Sequence, residues 1–197
     1  MTFLVATTII CTIFFVGGGD ACGYYWREFD GIIPPDALPA GLDVYNKPIY
    51  IGQALYENLL IPAKIYHNDN TAYFEYGGKE LTTKLNVKIL CTDEPDQFEW
   101  IKTNNSHIRE ITDRFLVQGG YHPSSSTYIG RIRTDGEVLI GKVLADNTAS
   151  EGLHVTQKGT ARSFSSFEVL SYQAKKVENK PEAKDTVPEV RYTAVFT

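Results

Sequence analysis

The sequence has little positive charge and few cysteines. Nineteen Lys and Arg residues stand against 24 Asp and Glu residues, which gives a formal net charge of −5. Nucleic-acid-binding surfaces are normally basic because they neutralise phosphates, so this charge balance argues against a nucleic-acid partner. Three cysteines occur in 197 residues, with no CxxC pair and no His/Cys cluster at metal-ligand spacing. We therefore predict neither a metal nor a cofactor.

Motifs of catalytic chemistry are also missing. No Gly-x-Ser-x-Gly elbow, phosphate-binding loop or dinucleotide fingerprint occurs in the sequence. The four histidines, His67, His107, His122 and His154, lie in loop-like sequence. The run of three serines after Pro123 is better explained as a turn than as a nucleophile. We therefore predict that the chain is not an enzyme.

Long amphipathic helical patterns are absent, and the composition favours strands instead. The chain is 43% hydrophobic and contains 12 tyrosines and 10 phenylalanines. Aromatic residues are enriched in strands, and this apolar fraction is enough to form an ordinary core. The predicted fold class is all-β.

One stretch of the sequence occurs twice. Residues 49–66 align with residues 127–144 at an offset of 78, which superposes Tyr50 on Tyr128, Gly52 on Gly130 and Lys64 on Lys142. The same offset carries Gly41 onto Gly119, and a shared offset over about two dozen residues indicates an internal duplication. We predict two tandem homologous repeats, residues 22–91 and 92–171, which together form one antiparallel β domain. Residues 172–197, rich in Lys, Glu, Asp and Pro, are predicted to be a charged linker and tail.

Each copy of the stretch is typical of a β-hairpin. The turns are predicted at Glu57-Asn58 and at Asp135-Gly136. The second arm of each hairpin is apolar at both strand parities, which indicates cover on both faces. Each arm nevertheless carries a lysine, Lys64 or Lys142, and a buried ammonium group must be paired or reach a wet cavity. These lysines mark the predicted functional positions.

The amino end is unlike the rest of the chain. Residues 3–16 contain no charged residue and are followed by three glycines. This stretch is short for a membrane span and suits the hydrophobic region of a signal peptide, although no Lys or Arg precedes Arg27. We predict that residues 1–21 are a signal peptide in preference to an uncleaved anchor. The mature chain is then secreted and has no membrane span.

Two modifications would fit secretion. Cleavage before Cys22 leaves Cys22 and Cys91, which flank the first repeat and either form a disulfide or remain as buried thiols. Asn104-Asn105-Ser106 is an N-glycosylation sequon with Asn104 as the acceptor, although such triplets also arise by chance.

Asp43 is a natural partner for Lys64. It lies between Leu42 and Val44, at the entrance to the hairpin that ends on the lysine. One interpretation is a structural ion pair, which composition and spacing alone favour. The other is a polar clamp at a small pocket, because a carboxylate accepts from two adjacent sugar hydroxyls while an ammonium donates to one.

The order of several motifs resembles the DM-nine (DM9) repeat family. The motifs are W-R-E-F-D-G-x-I-P, Gly41-x-Asp43, I-Y-I-G, L-I-P-A-K-I, Y-G-G-x-E and V-x-I-L, and the resemblance covers residues 24–170. The repeat occurs in tandem in invertebrate proteins and at the amino end of natterin-like proteins. The resemblance implies two interleaved repeats with pseudo-two-fold symmetry. It also implies binding of mannose-type sugars through an aspartate and a lysine, as in the family's secreted immune lectins.

Carried over to this chain, the family's binding residues fall on Asp43 and Lys64. Lys142 matches the second lysine, whereas the second aspartate position holds Tyr121, so the second site is expected to be weak or lost. Ala63, where glycine is common, is a further departure.

The resemblance predicts a secreted lectin of innate recognition that binds mannose-type glycans, with a homodimer possible by analogy. The rival interpretation is a secreted structural or protein-interaction module that keeps the fold without the sugar site.

Overall fold

The computed structural model describes residues 23–134, 136–145 and 152–173. Fifteen strands in one sheet, with every pairing antiparallel, account for most of these residues. The strands are β1 (Tyr24–Glu28), β2 (Pro39–Leu42), β3 (Pro48–Tyr56), β4 (Leu59–Tyr66), β5 (Ala72–Tyr76), β6 (Lys79–Thr83), β7 (Val87–Thr92), β8 (Phe98–Asn104), β9 (Phe115–Leu116), β10 (Gln118–His122), β11 (Ser125–Arg133), β12 (Val138–Leu144), β13 (Gly152–Gln157), β14 (Thr160–Phe164) and β15 (Ser166–Tyr172). Two short 3-10 helices cover Pro95–Gln97 and Ile108–Glu110. The all-β prediction is confirmed.

The sheet order shows the two-fold relation between the halves of the domain. It runs β1-β7-β3-β4-β5-β6 and then β14-β13-β12-β11-β15-β8, so each half follows the same path from its own edge inwards. The halves meet where β6 pairs β14, through Lys79 and Thr160. We call strands β1–β7 the first half and strands β8–β15 the second half. The predicted pseudo-two-fold symmetry is confirmed.

The predicted hairpins are the centre of each half. β3 pairs β4 from Ile49–Tyr66 to Tyr56–Leu59, and β11 pairs β12 from Thr127–Leu144 to Arg133–Val138. The turn residues Glu57 and Asn58 have φ of 47° and 64°, the left-handed pair that suits a two-residue hairpin. In the second hairpin, Gly136 has φ of 100°, and Asp135 lies outside the described residues.

A second pair of equivalent turns was not recognised from the sequence. Gly77 and Gly78 join β5 to β6 with φ of 60° and 76°, and Lys158 and Gly159 join β13 to β14 with φ of 51° and 81°. The equivalence of these turns is hard to recognise in the sequence, because Lys158 stands at the left-handed position that Gly77 has in the first half.

The apolar strands are covered on both faces, as predicted from the apolar residues at both strand parities. One core cluster lies in the first half around Ile65 and Phe74, and another lies in the second half around Leu139 and Val155. A third cluster joins the halves and includes Ile51, Ile129 and Leu170. The central hairpins therefore contribute to the core of their own half and to the shared core.

The start of β7 departs from the apolar–polar alternation of residues 85–90. Leu85 shares the parity of the buried Val87 and Ile89 but is 75% exposed, because Asn86 adopts φ of 54° and β7 begins only at Val87. A left-handed residue interrupts the alternation that the pattern assumed.

Several sequence predictions fall outside the described residues: the signal peptide, Cys22 and the charged tail. Cys91 is fully buried, and burial raises the pKa of its thiol, in the reduced form, to about 11. Its bridge to Cys22 stays a prediction. Asn104 ends β8, and its side-chain oxygen accepts from the backbone N–H groups of Ser106 and His107. Within the described residues, no helix has the length and apolar character needed to cross a membrane.

Candidate functional site

Two cavities lie at equivalent places along the boundary between the two halves. The first, of about 410 Å³, is called the Asp43 pocket and is lined by Asp43, Val44, Tyr45, Tyr66, His67, Asp69, Glu137 and Lys158. The second, of about 500 Å³, is called the Lys142 pocket, and its wall includes Leu59, Leu60, Glu75, Tyr76, Gly77, Gly78, Tyr121, His122, Thr127, Lys142, Leu144, His154, Arg162 and Ser163.

The duplication offset relates the two walls. Adding 78 to Asp43 gives Tyr121, adding it to Tyr66 gives Leu144, and subtracting it from Glu137 gives Leu59. The two cavities are therefore the same site formed twice with different side chains. Asp43 and Tyr121, the residues singled out from the sequence, each lie in the wall of one cavity, and whether either pocket binds a sugar stays a prediction.

Asp43 is held by the turn that joins β2 to β3. Its Oδ1 atom accepts from the backbone N–H groups of Tyr45 and Lys47, each at 2.8 Å. This Asx turn forms because the chain must reverse over Asn46, which has φ of 59°, before Pro48 begins β3. The carboxylate is consequently fixed at the pocket wall, and Oδ2 takes no part in these two bonds.

Lys64 lies deeper, in the middle of β4, and is 1% exposed. Its Nζ donates to the backbone oxygen of Thr156 at 2.6 Å and lies 3.8 Å from Glu80 Oε2. Burial lowers the pKa of Lys64, although the negative charges of Glu80 and Glu137 act in the opposite direction. The hydrogen bond of this ammonium group is thus supplied inside the protein, by the second half.

Tyr66 stands between the pocket and the buried lysine. Its ring centre is 5.2 Å from Lys64 Nζ, and its hydroxyl donates to Glu137 Oε2 at 3.1 Å. Burial, followed by the charge of Glu137, raises the pKa of Tyr66. Asp43 and Tyr66 line the pocket whereas Lys64 does not, so the structure does not place both groups of the predicted clamp on one wall.

Glu137 is a site residue that the sequence did not reveal. It comes from the second half, is 8% exposed, and its Oε1 accepts from Gln157 Nε2 at 3.0 Å. It directly follows the predicted Asp135-Gly136 turn, where nothing in the local sequence marks it as a buried residue. Only the contact between the halves brings it against Tyr66.

Lys142 is the more accessible of the two lysines. Its side chain is 15% exposed, and its Nζ lies 2.8 Å from Glu75 Oε2 and 3.0 Å from the Glu75 backbone oxygen. Glu75 Oε1 accepts from the Gly78 N–H at 2.7 Å. Glu75 was also missed, although a carboxylate within the apolar strand A-Y-F-E-Y is a usable signal.

Tyr121 lies at the rim of the Lys142 pocket. It is 54% exposed and pairs with Leu60, so that β10 of the second half joins β4 of the first half. Glycine is required at the next position inwards, because a Cβ at Gly120 would overlap the Leu60 backbone oxygen. The close approach of the two strands fixes the position of Tyr121.

Further polar groups complete the wall of the Lys142 pocket. Arg162 donates to Gln157 Oε1 at 2.6 Å and lies 5.0 Å from the Phe164 ring centre. His154 Nδ1 and Ser163 Oγ share a hydrogen bond of 3.0 Å. Over the described ranges, no group of three His, Cys, Asp or Glu side chains is placed to hold a metal ion.

Comparisons with known proteins agree with the repeat and the fold. A family model described as the DM9 repeat matches residues 13–83 and 43–150, two overlapping stretches. The crystal structure of the nematode sperm cell motility protein MFP2B is similar, with a TM-score of 0.57 and 17% identity over 78% of this chain and 47% of that chain. The chain thus spans about half the length of that protein, and the likeness concerns the fold alone. No curated protein matches the sequence.

Proposed function

Because the chain belongs to the DM9 repeat family, we propose that it is a secreted, non-enzymatic carbohydrate-binding protein that recognises mannose-type glycans at the Asp43 pocket. One observation carries the proposal: a turn-fixed carboxylate, Asp43, lies beside exposed and half-buried tyrosine rings in a cavity of about 410 Å³. Cavities of this size suit small ligands that a few fixed polar groups orient.

The hydrogen-bonding capacity of Asp43 matches a pair of sugar hydroxyls. A carboxylate offers about four acceptor positions, and the two turn bonds both go to Oδ1. Oδ2 therefore supplies charge-assisted acceptor positions, which are stronger than neutral ones. Holding Asp43 in its turn before binding also lowers the entropy lost on binding.

Aromatic and lysine side chains support this site in different ways. Tyr45 is 79% exposed and provides a ring face for the apolar side of a sugar. Lys64 acts through Tyr66, because its ammonium lies against that ring and not at the wall. In this proposal, Asp43 touches the sugar directly and Lys64 positions the tyrosine.

Binding at one such site is expected to be weak. A handful of hydrogen bonds corresponds to a Kd of about 1 mM, or about −4 kcal/mol. A homodimer would raise the avidity for multivalent glycans by the effective-concentration effect. Dimerisation and secretion are parts of the proposal, and sedimentation of the purified protein and the mass of the product in culture medium test them.

Asp43→Asn tests the site directly. Asparagine keeps the Oδ1 acceptor and hence the turn, while it removes the charge. We expect titration with methyl α-mannoside, followed by amide chemical shifts, to show an affinity at least about 5-fold weaker, a loss typical of about 1 kcal/mol. Asp30→Asn is the matched control, because Asp30 forms the same kind of turn bond, to the Ile32 N–H, without lining either pocket. Equal affinities of the two variants would contradict the assignment.

A protein-interaction module is the second candidate. It is favoured by the burial of Lys64, whose Nζ donates inside the protein, and by neighbouring exposed apolar side chains, with Leu42 48% and Val44 53% exposed. Apolar side chains exposed together are common where proteins meet. A glycan array with the native protein separates the candidates, because a blank array would favour the interaction module.

A further inference from the structure

We propose that the Lys142 pocket binds an anionic sugar, one that carries a carboxylate, phosphate or sulfate group, and that it differs in this from the Asp43 pocket. The inference rests on the proposed sugar-binding function and assigns a second ligand class to the equivalent site. Two observations support it: the opposite net charges of the two pocket walls, and the contacts that already engage the Glu75 carboxylate.

The walls of the two pockets have opposite charge. Three carboxylates, Asp43, Asp69 and Glu137, face one ammonium group, Lys158, in the Asp43 pocket. In the Lys142 pocket the cations Lys142 and Arg162 face the single carboxylate of Glu75. The first wall is therefore net negative and the second net positive, before any charge on its two histidines is counted.

The one carboxylate of the Lys142 pocket is buried and already engaged at both of its oxygens. Glu75 Oε2 is engaged by Lys142 at 2.8 Å and Oε1 by the Gly78 N–H at 2.7 Å, and the side chain is 7% exposed. At the place of Asp43 this pocket has Tyr121, which cannot supply a charged acceptor pair. The arrangement that suits neutral hydroxyl pairs in the first pocket is missing from the second.

Hydrogen-bond donors, in contrast, are in excess. Lys142 directs two of its three N–H groups at Glu75, which leaves one for a ligand. Arg162 donates from Nη1 to Gln157, and its guanidinium has further donors. His122 Nδ1 accepts from the Ser124 N–H, so the neutral ring carries its proton on Nε2. Donors gathered around one cavity favour an anion as the ligand.

The remaining wall strengthens the attraction of an anion. Leu59, Leu60 and Leu144 are apolar and lie beside the polar groups. Charge-assisted hydrogen bonds are stronger where apolar walls reduce the contact with water. Phe164 and Gln157 hold the Arg162 guanidinium in place before the ligand arrives. A volume of about 500 Å³ accommodates a monosaccharide with a charged substituent.

The experiment compares mannose 6-phosphate, glucuronic acid, inorganic phosphate and methyl α-mannoside on the full protein. The readout is the shift of the Gly77 and Gly78 amides, which lie in the wall of the Lys142 pocket. We expect an anionic sugar to bind there at least about 10-fold more tightly than methyl α-mannoside. Arg162→Gln, a change at an exposed side chain, should weaken this binding at least about 5-fold. Arg133→Gln, at another exposed arginine outside the pocket, is the matched control.

The outcomes separate this proposal from the proposed function. Loss of anionic-sugar binding in Arg162→Gln but not in Asp43→Asn supports it, even if methyl α-mannoside fails to bind at the Asp43 pocket. Equal shifts by anionic and neutral sugars would overturn it, as would equal affinities of Arg162→Gln and Arg133→Gln. Equal affinities for inorganic phosphate and mannose 6-phosphate would also overturn it, because the sugar ring would then contribute nothing.

Discussion

At the residue scale, the ammonium groups of the two lysines in the duplicated stretch are stabilised by different contacts. A buried ammonium group is tolerated only when it is paired and hydrogen-bonded. Lys142 has a carboxylate at 2.8 Å, whereas Lys64 relies on the Thr156 backbone oxygen at 2.6 Å with Glu80 at 3.8 Å. Lys142 therefore stays partly accessible to solvent, whereas Lys64 is fully buried.

A tyrosine near Lys64 gives a pH-dependent prediction. Tyr73 donates to Asp69 Oδ2 at 2.8 Å, and burial, followed by this bond, raises the pKa of Tyr73 from 10.0 to about 12. Between these two pH values the unfolded chain releases the proton while the folded protein keeps it. The stabilisation is therefore complete below pH 10 and is lost as the pH rises towards 12.

Tyr73→Phe tests this expectation. At pH 8 the variant should be less stable than the wild type by about 1 kcal/mol, because it lacks the hydrogen bond. By pH 11 the difference should have shrunk or changed sign. Urea unfolding at both pH values measures it, and a constant difference would show that the pKa of Tyr73 is not raised by folding.

The sequence singled out the two lysines within apolar strands but not the groups that they contact. Lys64 and Lys142 stood out because a charge within an apolar strand breaks the pattern. Thr156 and Glu137 could not be recognised in the sequence. Thr156 acts through its backbone oxygen, and Glu137 reaches Tyr66 from a turn in the other half of the domain. Such partners are set by the tertiary packing and are not readable from local sequence.

At the element scale, paired left-handed residues determine the hairpins. Glu57 and Asn58 close the β3–β4 hairpin with φ of 47° and 64°, a turn whose twist matches that of its strands. The sequence predicted this turn from the break between two apolar arms. It did not predict the Lys158-Gly159 turn, because lysine rarely adopts φ of 51°.

Asn58→Val should destabilise the protein by about 1–2 kcal/mol, since a β-branched residue fits the left-handed region poorly. Asn58 is exposed, so the change removes no core contact. Asn58→Gly is the control and should be neutral or slightly stabilising. Thermal unfolding measures both variants, and a Val variant as stable as the Gly variant would contradict the assigned turn geometry.

At the scale of the whole molecule, hydrogen bonds from buried side chains tie the halves together. Gln53 donates to the Gly119 oxygen at 3.0 Å, Arg131 donates to the Ala40 oxygen at 2.5 Å, and both lysines bond across the same boundary. The duplication predicted two related halves, but the offset alone contains no information about the hydrogen bonds between them. We expect the halves to unfold together.

The two tryptophans test this cooperativity, because Trp26 lies in the first half and Trp100 in the second. In Trp26→Phe, fluorescence reports only on Trp100, and in Trp100→Phe only on Trp26. Within each variant, the fluorescence midpoint in urea should coincide with the midpoint from far-UV circular dichroism. Midpoints that differ, or a dichroism curve with two steps, would show that the halves unfold separately.

The exchange of hydrogen bonds across the boundary bears on whether one repeat can fold alone. A lone repeat would lack the carbonyl oxygen to which its lysine donates in the domain, since Lys64 donates to Thr156 and Lys142 to Glu75. We therefore expect a single repeat, expressed by itself, to fold only where a second copy supplies that oxygen.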